Sequence, residues 1–137
     1  MDIEKFIKGR RTCLLGSIDE EGFPNTRAML KPRKFEGYKT LYFSTNTSSN
    51  KIKHYQNNNK ASVYFYDGLL FKGVMLIGEI EILTEQKYKD MLWEKGDTLY
   101  YPKGITDPDY IVLKFTTKQV RTYANMKKDD FNIWIVC

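Results

Sequence analysis

Apolar and polar residues alternate along several short stretches of this chain, which is the pattern of β-strands that are buried on one side. Short polar or glycine-containing turns separate these stretches. Gly78 falls within the longest stretch, where a glycine indicates a bulge or a close approach of another backbone segment. The pattern predicts seven strands, over residues 12–19, 25–31, 40–45, 61–66, 71–83, 110–116 and 119–124.

Helical spacing of apolar side chains predicts three short helices, over residues 2–9, 49–57 and 85–95. Thr84 is the predicted N-cap of the third helix, and Gly96 is predicted to end it. The loop that follows is rich in aromatic residues, which either cover a pocket or pack onto the fold. Together the elements predict a mainly β fold: a closed antiparallel barrel of six to seven strands, with two to three short α-helices at its edges.

The length of 137 residues predicts one domain, over residues 1–137, with a core of its own. Hydrophobic residues make up 42% of the chain and charged residues 28%, which is typical of a globular protein. The aromatic share of 15% favours a β class. The net charge of +5 suits an acidic ligand or partner, but the basic residues are spread along the chain, so charge alone does not indicate nucleic-acid binding.

The cysteine and histidine content excludes several kinds of site. Cys13 lies in an apolar run and is predicted to be a small core residue, whereas Cys137 is the last residue, where chain ends are usually mobile. Two cysteines form no disulfide framework or metal-ligand spacing, and a lone His54 argues against a multi-histidine metal site. The charged start, residues 1–5, differs from a signal peptide, and no apolar run is long enough to span a membrane, so we expect a cytoplasmic protein.

Residues 41–54 are the stretch with the clearest chemistry. A strand leads through a polar turn into a helix whose first turns carry Lys51, Lys53 and His54 and no carboxylate. This charge pattern opposes the helix dipole, whose positive end favours acidic neighbours. Free backbone N–H groups, hydroxyls and a lysine at a helix start suit an anion, most naturally a phosphate. The alternative is an ordinary Ser-capped surface helix.

The second predicted strand carries a separate candidate site. Strand alternation puts Arg27, Met29 and Lys31 on one face of the strand. Such a face suits a cationic, partly apolar site. The alternative is a solvated face at the edge of the sheet, and the strand by itself does not decide between the two.

Three motifs occur in order along the chain. Residues 22–29 read Gly-Phe-Pro-Asn-Thr-Arg-Ala-Met, and residues 42–51 read Tyr-Phe-Ser-Thr-Asn-Thr-Ser-Ser-Asn-Lys. They are similar to the "D-G-x-P-x-x-R-x-M" strand and the "F-x-T-N-x-x-S-x-K" phosphate segment of the FMN-binding split-barrel superfamily, that of pyridoxamine 5′-phosphate oxidase and general stress protein 26. The third motif is the spacing that leads from Asn59 through residues 63–65 to residues 78–80, which is also similar to that of the superfamily. Segment 101–110 resembles the stress-protein branch.

The resemblance implies a split barrel that binds FMN, and a homodimer with flavin at the subunit interface. It implies that Lys51, Ser49 and Asn50 hold the phosphate, although many relatives have Arg where this chain has Asn50. Lys72 stands on the strand that often adds contacts from a second subunit, and it is a poorer match. The other implied cofactor contacts are Arg27 at the phosphate or the isoalloxazine, Ala28 and Met29 near the ring, and Ser44 and Thr45 at the ribityl chain or ring edge.

The functional prediction is an FMN-dependent oxidoreductase that acts on an unidentified small-molecule substrate or electron donor. Flavin performs the redox chemistry, so no acid, base or nucleophile has to appear in the sequence. The Arg-x-His segment that grips the substrate in true pyridoxamine phosphate oxidases is missing, which argues against vitamin B6 oxidation. The alternatives are a flavin- or cofactor-binding protein without turnover and, with less support, a basic β-barrel that binds single-stranded nucleic acid. Some relatives use haem, for which His54 is a poor ligand candidate.

Overall fold

The computed structural model describes residues 1–133, so Cys137 lies outside the described residues. It contains three α-helices, eight strands and two 3₁₀ turns, at Asp97–Leu99 and Gly104–Thr106. In chain order the helices and strands are α1 (Ile3–Lys8), β1 (Thr12–Ile18), β2 (Pro24–Leu30), β3 (Lys34–Glu36), β4 (Thr40–Asn46), α2 (Asn50–Asn57), β5 (Lys60–Asp67), β6 (Lys72–Leu83), α3 (Gln86–Leu92), β7 (Tyr110–Ala124) and β8 (Lys127–Asn132).

All strands belong to one antiparallel sheet with the order β2-β1-β5-β6-β7-β4-β3, and β8 pairs with β7. Within residues 1–133 the end strands β2 and β3 are not paired with each other, so the predicted closure of the barrel is wrong. Residues 31–33 instead connect the two ends: the Lys31 amide donates to the Arg11 carbonyl, and the Arg33 amide donates to the Tyr42 carbonyl. The fold is a split barrel with flanking helices, as the resemblance implies.

The core lies on one face of the curved sheet. Its largest fully buried side chains include Leu15, Phe65 and Phe115, and α1 and α2 cover it with Ile7 and Ile52. Burying such apolar surface is the main favourable contribution to folding. The core role predicted for Cys13 is confirmed: its side chain is 1% exposed, and burial raises the pKa of the thiol to about 12.

A second, smaller cluster lies beneath α3. The aromatic rings of Tyr101 and Tyr110 stack there at 4.8 Å, so part of the aromatic loop packs onto the fold rather than covering a pocket. The helix itself is shorter than predicted, because Glu85 and not Thr84 is its N-cap, and it ends at Leu92. The chain then takes an extended conformation at Trp93, whose ring packs against Tyr110 at 5.3 Å.

The bulge predicted at Gly78 is confirmed. The register between β6 and β7 shifts at Ile77 and Gly78, and a Cβ on Gly78 would overlap the carbonyl oxygen of Thr116. Only glycine permits this approach of two backbones.

Three further features of the sheet differ from the prediction. The two predicted last strands are one continuous strand, β7, because buried Thr117 is satisfied by distant partners: its hydroxyl donates to the Tyr38 carbonyl at 2.6 Å and its amide to the Lys39 carbonyl at 2.8 Å. β3 and β8 were both absent from the prediction. β8 follows a tight turn at Asn125 and Met126, which have φ angles of 53° and 62°.

Candidate cofactor site

The junction between β4 and α2 is held in place by the loop that precedes β7. The Thr47 amide and hydroxyl both donate to the Asp109 carboxylate, at 3.0 and 2.7 Å. Ser49 is the N-cap of α2, but its side chain makes no capping hydrogen bond. Its hydroxyl oxygen is buried and has no hydrogen-bond partner among residues 1–133. An ordinary capping serine would accept from an amide in the first turn, so this hydroxyl is a buried polar group whose hydrogen-bonding capacity is unused within the described residues.

Two cations meet at this junction. Lys51 is only 8% exposed, and its pKa is lowered by burial and by the nearby charge of Arg27. Within the described part of the chain, neither side chain forms an ion pair with a carboxylate. A buried cation without a partner is costly, and two adjacent ones repel each other. An anion that contacts both side chains relieves both costs.

Arg27 lies on β2, where it pairs with Leu15 of β1, and its side chain extends toward the junction. Its guanidinium donates to the Ser17 hydroxyl oxygen at 2.9 Å and more weakly to the Leu15 carbonyl at 3.4 Å. Ser17 is 3% exposed and also lies 2.7 Å from Nδ1 of His54 on α2. The Tyr55 hydroxyl donates to the Gly16 carbonyl at 2.9 Å, which ties the helix to the same strand.

A cavity of about 300 Å³ opens beside His54, and the turn between β1 and β2 forms its other wall. Asp19 shapes this turn by accepting hydrogen bonds from the Asn25 side chain and the Phe23 amide, at 3.0 and 2.9 Å. The Asn25 bond is the main reason that the pKa of the Asp19 carboxyl is lowered. Gly22 in this turn has a φ of 86°, a left-handed conformation that glycine adopts without strain. The cavity is lined by Asp19, Glu20, Glu21, Asn50, Lys53 and His54.

The structure brings some of the predicted cofactor contacts together on the core side. Ser49 and Lys51 lie at the start of α2, and Arg27 is near enough that its charge lowers the pKa of Lys51. Asn50 is exposed there and lines the cavity. Met29 lies on the same face of β2 as Arg27 and packs against the core.

Other predicted contacts lie apart from this group. Strand alternation puts Ala28 on the opposite side of β2, where it is exposed. Thr45 is buried on the face of β4 that carries Phe43, whereas Ser44 faces the other side, where it pairs with Val112 of the second cluster.

Lys72 lies at the far end of the sheet. It pairs with Asp67 on β5. Asp67 lies five residues further along β5 than Ser62, which pairs with Gly16 of β1 near the candidate site. This separation corresponds to roughly 16 Å along a strand, so one chain does not bring Lys72 to Lys51. Lys72 lines a recess with aromatic walls, which include Tyr64, Tyr66, Phe71 and Tyr123.

Sequence reasoning missed Ser17 altogether and gave His54 no hydrogen-bonding role. A signal for Ser17 was present, because it shares the core-facing positions of β1 with Cys13 and Leu15. A polar residue at such a position needs a hydrogen-bond partner. Nothing in the sequence identifies that partner, which comes from a helix 37 positions away.

The fold defines the class of protein: a small split β-barrel with helices at its edges. A family model for pyridoxamine 5′-phosphate oxidase matches residues 2–124, and the chain belongs to this family. The resemblance found in the sequence is therefore confirmed. A search of curated proteins gives no match.

Solved structures agree with this assignment. A protein from Clostridium acetobutylicum, related to general stress protein 26 of the pyridoxinephosphate oxidase family, is 40% identical with a TM-score of 0.85, over 94% of this chain and 90% of that chain. Two more distant structures share the fold. One is an FMN-binding protein from Nostoc punctiforme (16% identity, TM-score 0.70, 91% and 88% covered), and the other a heme binding protein from Mycobacterium smegmatis (14%, 0.75, 94% and 55%).

No helix within residues 1–133 is both long and apolar enough to cross a membrane.

Proposed function

We propose that this protein binds FMN and works as an oxidoreductase on a small molecule. The observation that carries the proposal is the pair of cations, Arg27 and Lys51, which lack a carboxylate partner within residues 1–133, together with the unpartnered hydroxyl of Ser49. The FMN-binding relative from Nostoc punctiforme supports the choice of cofactor. A cytoplasmic location stays a prediction from the sequence.

Each of these residues has a definite role toward the phosphate. Lys51 and Arg27 neutralise its charge, and an anion restores to Lys51 the favourable electrostatics that burial removes. The Ser49 hydroxyl donates to a phosphate oxygen, and the free amides of the first turn of α2 can do the same. Bound FMN supplies electron and hydride transfer, while the protein supplies binding and orientation.

The proposed dimer forms through the outer face, the side of the sheet opposite the core. One row of paired positions crosses five strands there: Ala28, Leu14, Tyr64, Met75 and Arg121. A second copy that covers this row removes apolar surface from water. The row adjoins a recess of about 380 Å³ with Tyr64 and Tyr123 in its walls, which suits one face of a flat ring. Ala28 and Lys72 then take part from the two different subunits.

FMN titration tests the cofactor. Purified protein with an absorbance spectrum of bound flavin, or uptake of added FMN, is the expected result, and a protein that takes up no FMN contradicts the proposal. Arg27→Ala and Lys51→Ala should each weaken FMN binding about fivefold or more, since a charge-assisted hydrogen bond is lost. Lys39→Ala is the matched control, because Lys39 is exposed in the turn between β3 and β4, away from the start of α2. Unchanged affinity in both site variants places the phosphate elsewhere.

Two further measurements separate the alternatives. Reduction of bound flavin by a nicotinamide nucleotide, followed by reoxidation by an acceptor, distinguishes an oxidoreductase from a protein that only binds flavin. Light scattering tests the dimer: Met75→Arg should give a monomer, because it puts a charge in the middle of the outer face. An unchanged mass places the dimer surface elsewhere.

A further inference from the structure

We propose that Ser17 and His54 are positioning residues, which aim the Arg27 guanidinium at the phosphate of the ligand. The proposal rests on the proposed function, because it concerns the same anion site. Neither of these two side chains has a role in the proposed function itself.

Three side chains form a chain of hydrogen bonds. A guanidinium can only donate, so the Ser17 oxygen accepts from Arg27 at 2.9 Å. The same hydroxyl shares a hydrogen bond of 2.7 Å with Nδ1 of His54, and the tautomer of the ring sets the direction of this bond. The result is a continuous chain from Arg27 through Ser17 to His54.

Arg27 needs such a support. It extends from β2, an edge strand of the sheet, and its other hydrogen bond, to the Leu15 carbonyl, is long at 3.4 Å. The nearby positive charge of Lys51 repels it. Without Ser17 the guanidinium is free to rotate away from Lys51, and the two cations then no longer face one anion.

His54 connects the support to the second cation. Lys51 and His54 are three residues apart on α2, so they lie on the same face of the helix. The bond between Ser17 and His54 thus joins β1 to the helix face that carries Lys51. In this way one hydroxyl fixes the position of both cations relative to each other.

The experiment compares FMN with riboflavin, which lacks only the phosphate. Ser17→Ala should lower FMN affinity about fivefold or more and leave riboflavin affinity unchanged, because only the phosphate contact depends on Arg27. In an Arg27→Ala background the same substitution should have no further effect. A loss that is equal for both ligands shows a merely structural role and overturns the proposal, as does an additive loss in the double variant.

A second pair of variants tests His54 independently. The side-chain oxygen and nitrogen of asparagine both stand as many bonds from Cα as Nδ1 of histidine, so asparagine can either accept from or donate to Ser17. His54→Asn should therefore keep the preference for FMN over riboflavin. His54→Phe should lose most of it. Equal preferences in the two variants overturn the role of His54. If wild-type protein shows no preference for FMN, the phosphate site itself is wrong, whereas a wild-type preference that Ser17→Ala keeps refutes only the positioning role.

Discussion

Arg27 and Arg33 lie close together in the sequence but in very different electrostatic surroundings. Arg33 donates to both carboxylate oxygens of Asp97, at 3.0 and 2.9 Å, and to the Leu92 carbonyl at 3.2 Å. Glu94 adds a further contact at 3.2 Å. Arg27 donates to the Ser17 hydroxyl oxygen and, weakly at 3.4 Å, to the Leu15 carbonyl, and its charged neighbour is another cation, Lys51.

The difference separates a structural arginine from one that is available to a ligand. The hydrogen bond between Arg33 and Asp97 raises the pKa of the guanidinium and lowers the pKa of the carboxyl, so each stabilises the charge of the other. Arg33 has no need of a further anion. Arg27 and Lys51 do need one, and the state without ligand bears the cost of keeping them charged. The presence of a carboxylate, and not burial alone, indicates which role a cation has.

The largest expected effect on stability comes from removing the carboxylate partner of Arg33. Asp97→Asn leaves Arg33 partly buried without its main partner, so the free energy of unfolding should fall by about 3 kcal/mol. Urea denaturation measures the loss. FMN affinity of the folded variant should stay unchanged, because this pair is separate from the phosphate site. A loss below about 1 kcal/mol would mean that the two arginines differ less than their contacts indicate.

The opposite sign is expected at the unpaired cations. Lys51→Met removes a desolvated charge and keeps the aliphatic part of the side chain, so it should raise the free energy of unfolding by about 1 kcal/mol while FMN binding weakens. Lys39→Met, in the exposed turn between β3 and β4, is the control and should change neither quantity. Destabilisation by Lys51→Met would show that Lys51 has a structural partner.

Alkaline pH should reduce the difference between wild type and Lys51→Met. The pKa of Lys51 is lower in the folded protein than its ordinary 10.5, so the unfolded chain holds more protons at this group as pH rises toward that value. The cost of the Lys51 charge therefore decreases, and the free energy of unfolding of the wild type increases, as the pH rises toward 10.5. Urea denaturation of both proteins at pH 7 and pH 10 gives the comparison, in which other lysines cancel. A gap that widens with pH contradicts the assignment.

The smallest effect is expected from the outer partner of Arg33. The side chain of Glu94 is 62% exposed, and exposed ion pairs contribute little. Glu94→Gln should change the free energy of unfolding by about 0.3 kcal/mol, which is close to the absence of change expected for Lys39→Met. A loss comparable to that of Asp97→Asn would show that the two carboxylates share the stabilisation of Arg33.

Local patterns were enough to predict most of the strands, because alternation is a property of neighbouring residues. They failed where a distant residue decides the outcome. Thr117 appears as an interruption between two strands, but Tyr38 and Lys39 satisfy its polar groups and the strand continues. The charged segment of β8 looks like a tail, but it pairs with β7, and Arg121 lies 3.7 Å from Asp130 across the pair.

The candidate site was predictable to the extent that its residues are close in sequence. Ser49, Asn50 and Lys51 form one segment with an unusual charge pattern, and Arg27 joined them only through the resemblance. The link from Arg27 to His54 passes through Ser17 on a third element, so no pattern within one element indicates it.

Because Cys13 is buried, the reactivity of its thiol reports on the opening of β1. A thiol that is 1% exposed, with a pKa raised to about 12, reacts with an alkylating reagent only when β1 separates from its neighbours. The rate of its modification therefore measures how often this strand opens. Because β1 also carries Ser17, that rate with and without FMN would show how far a ligand at the cation pair slows the opening of the strand that supports it.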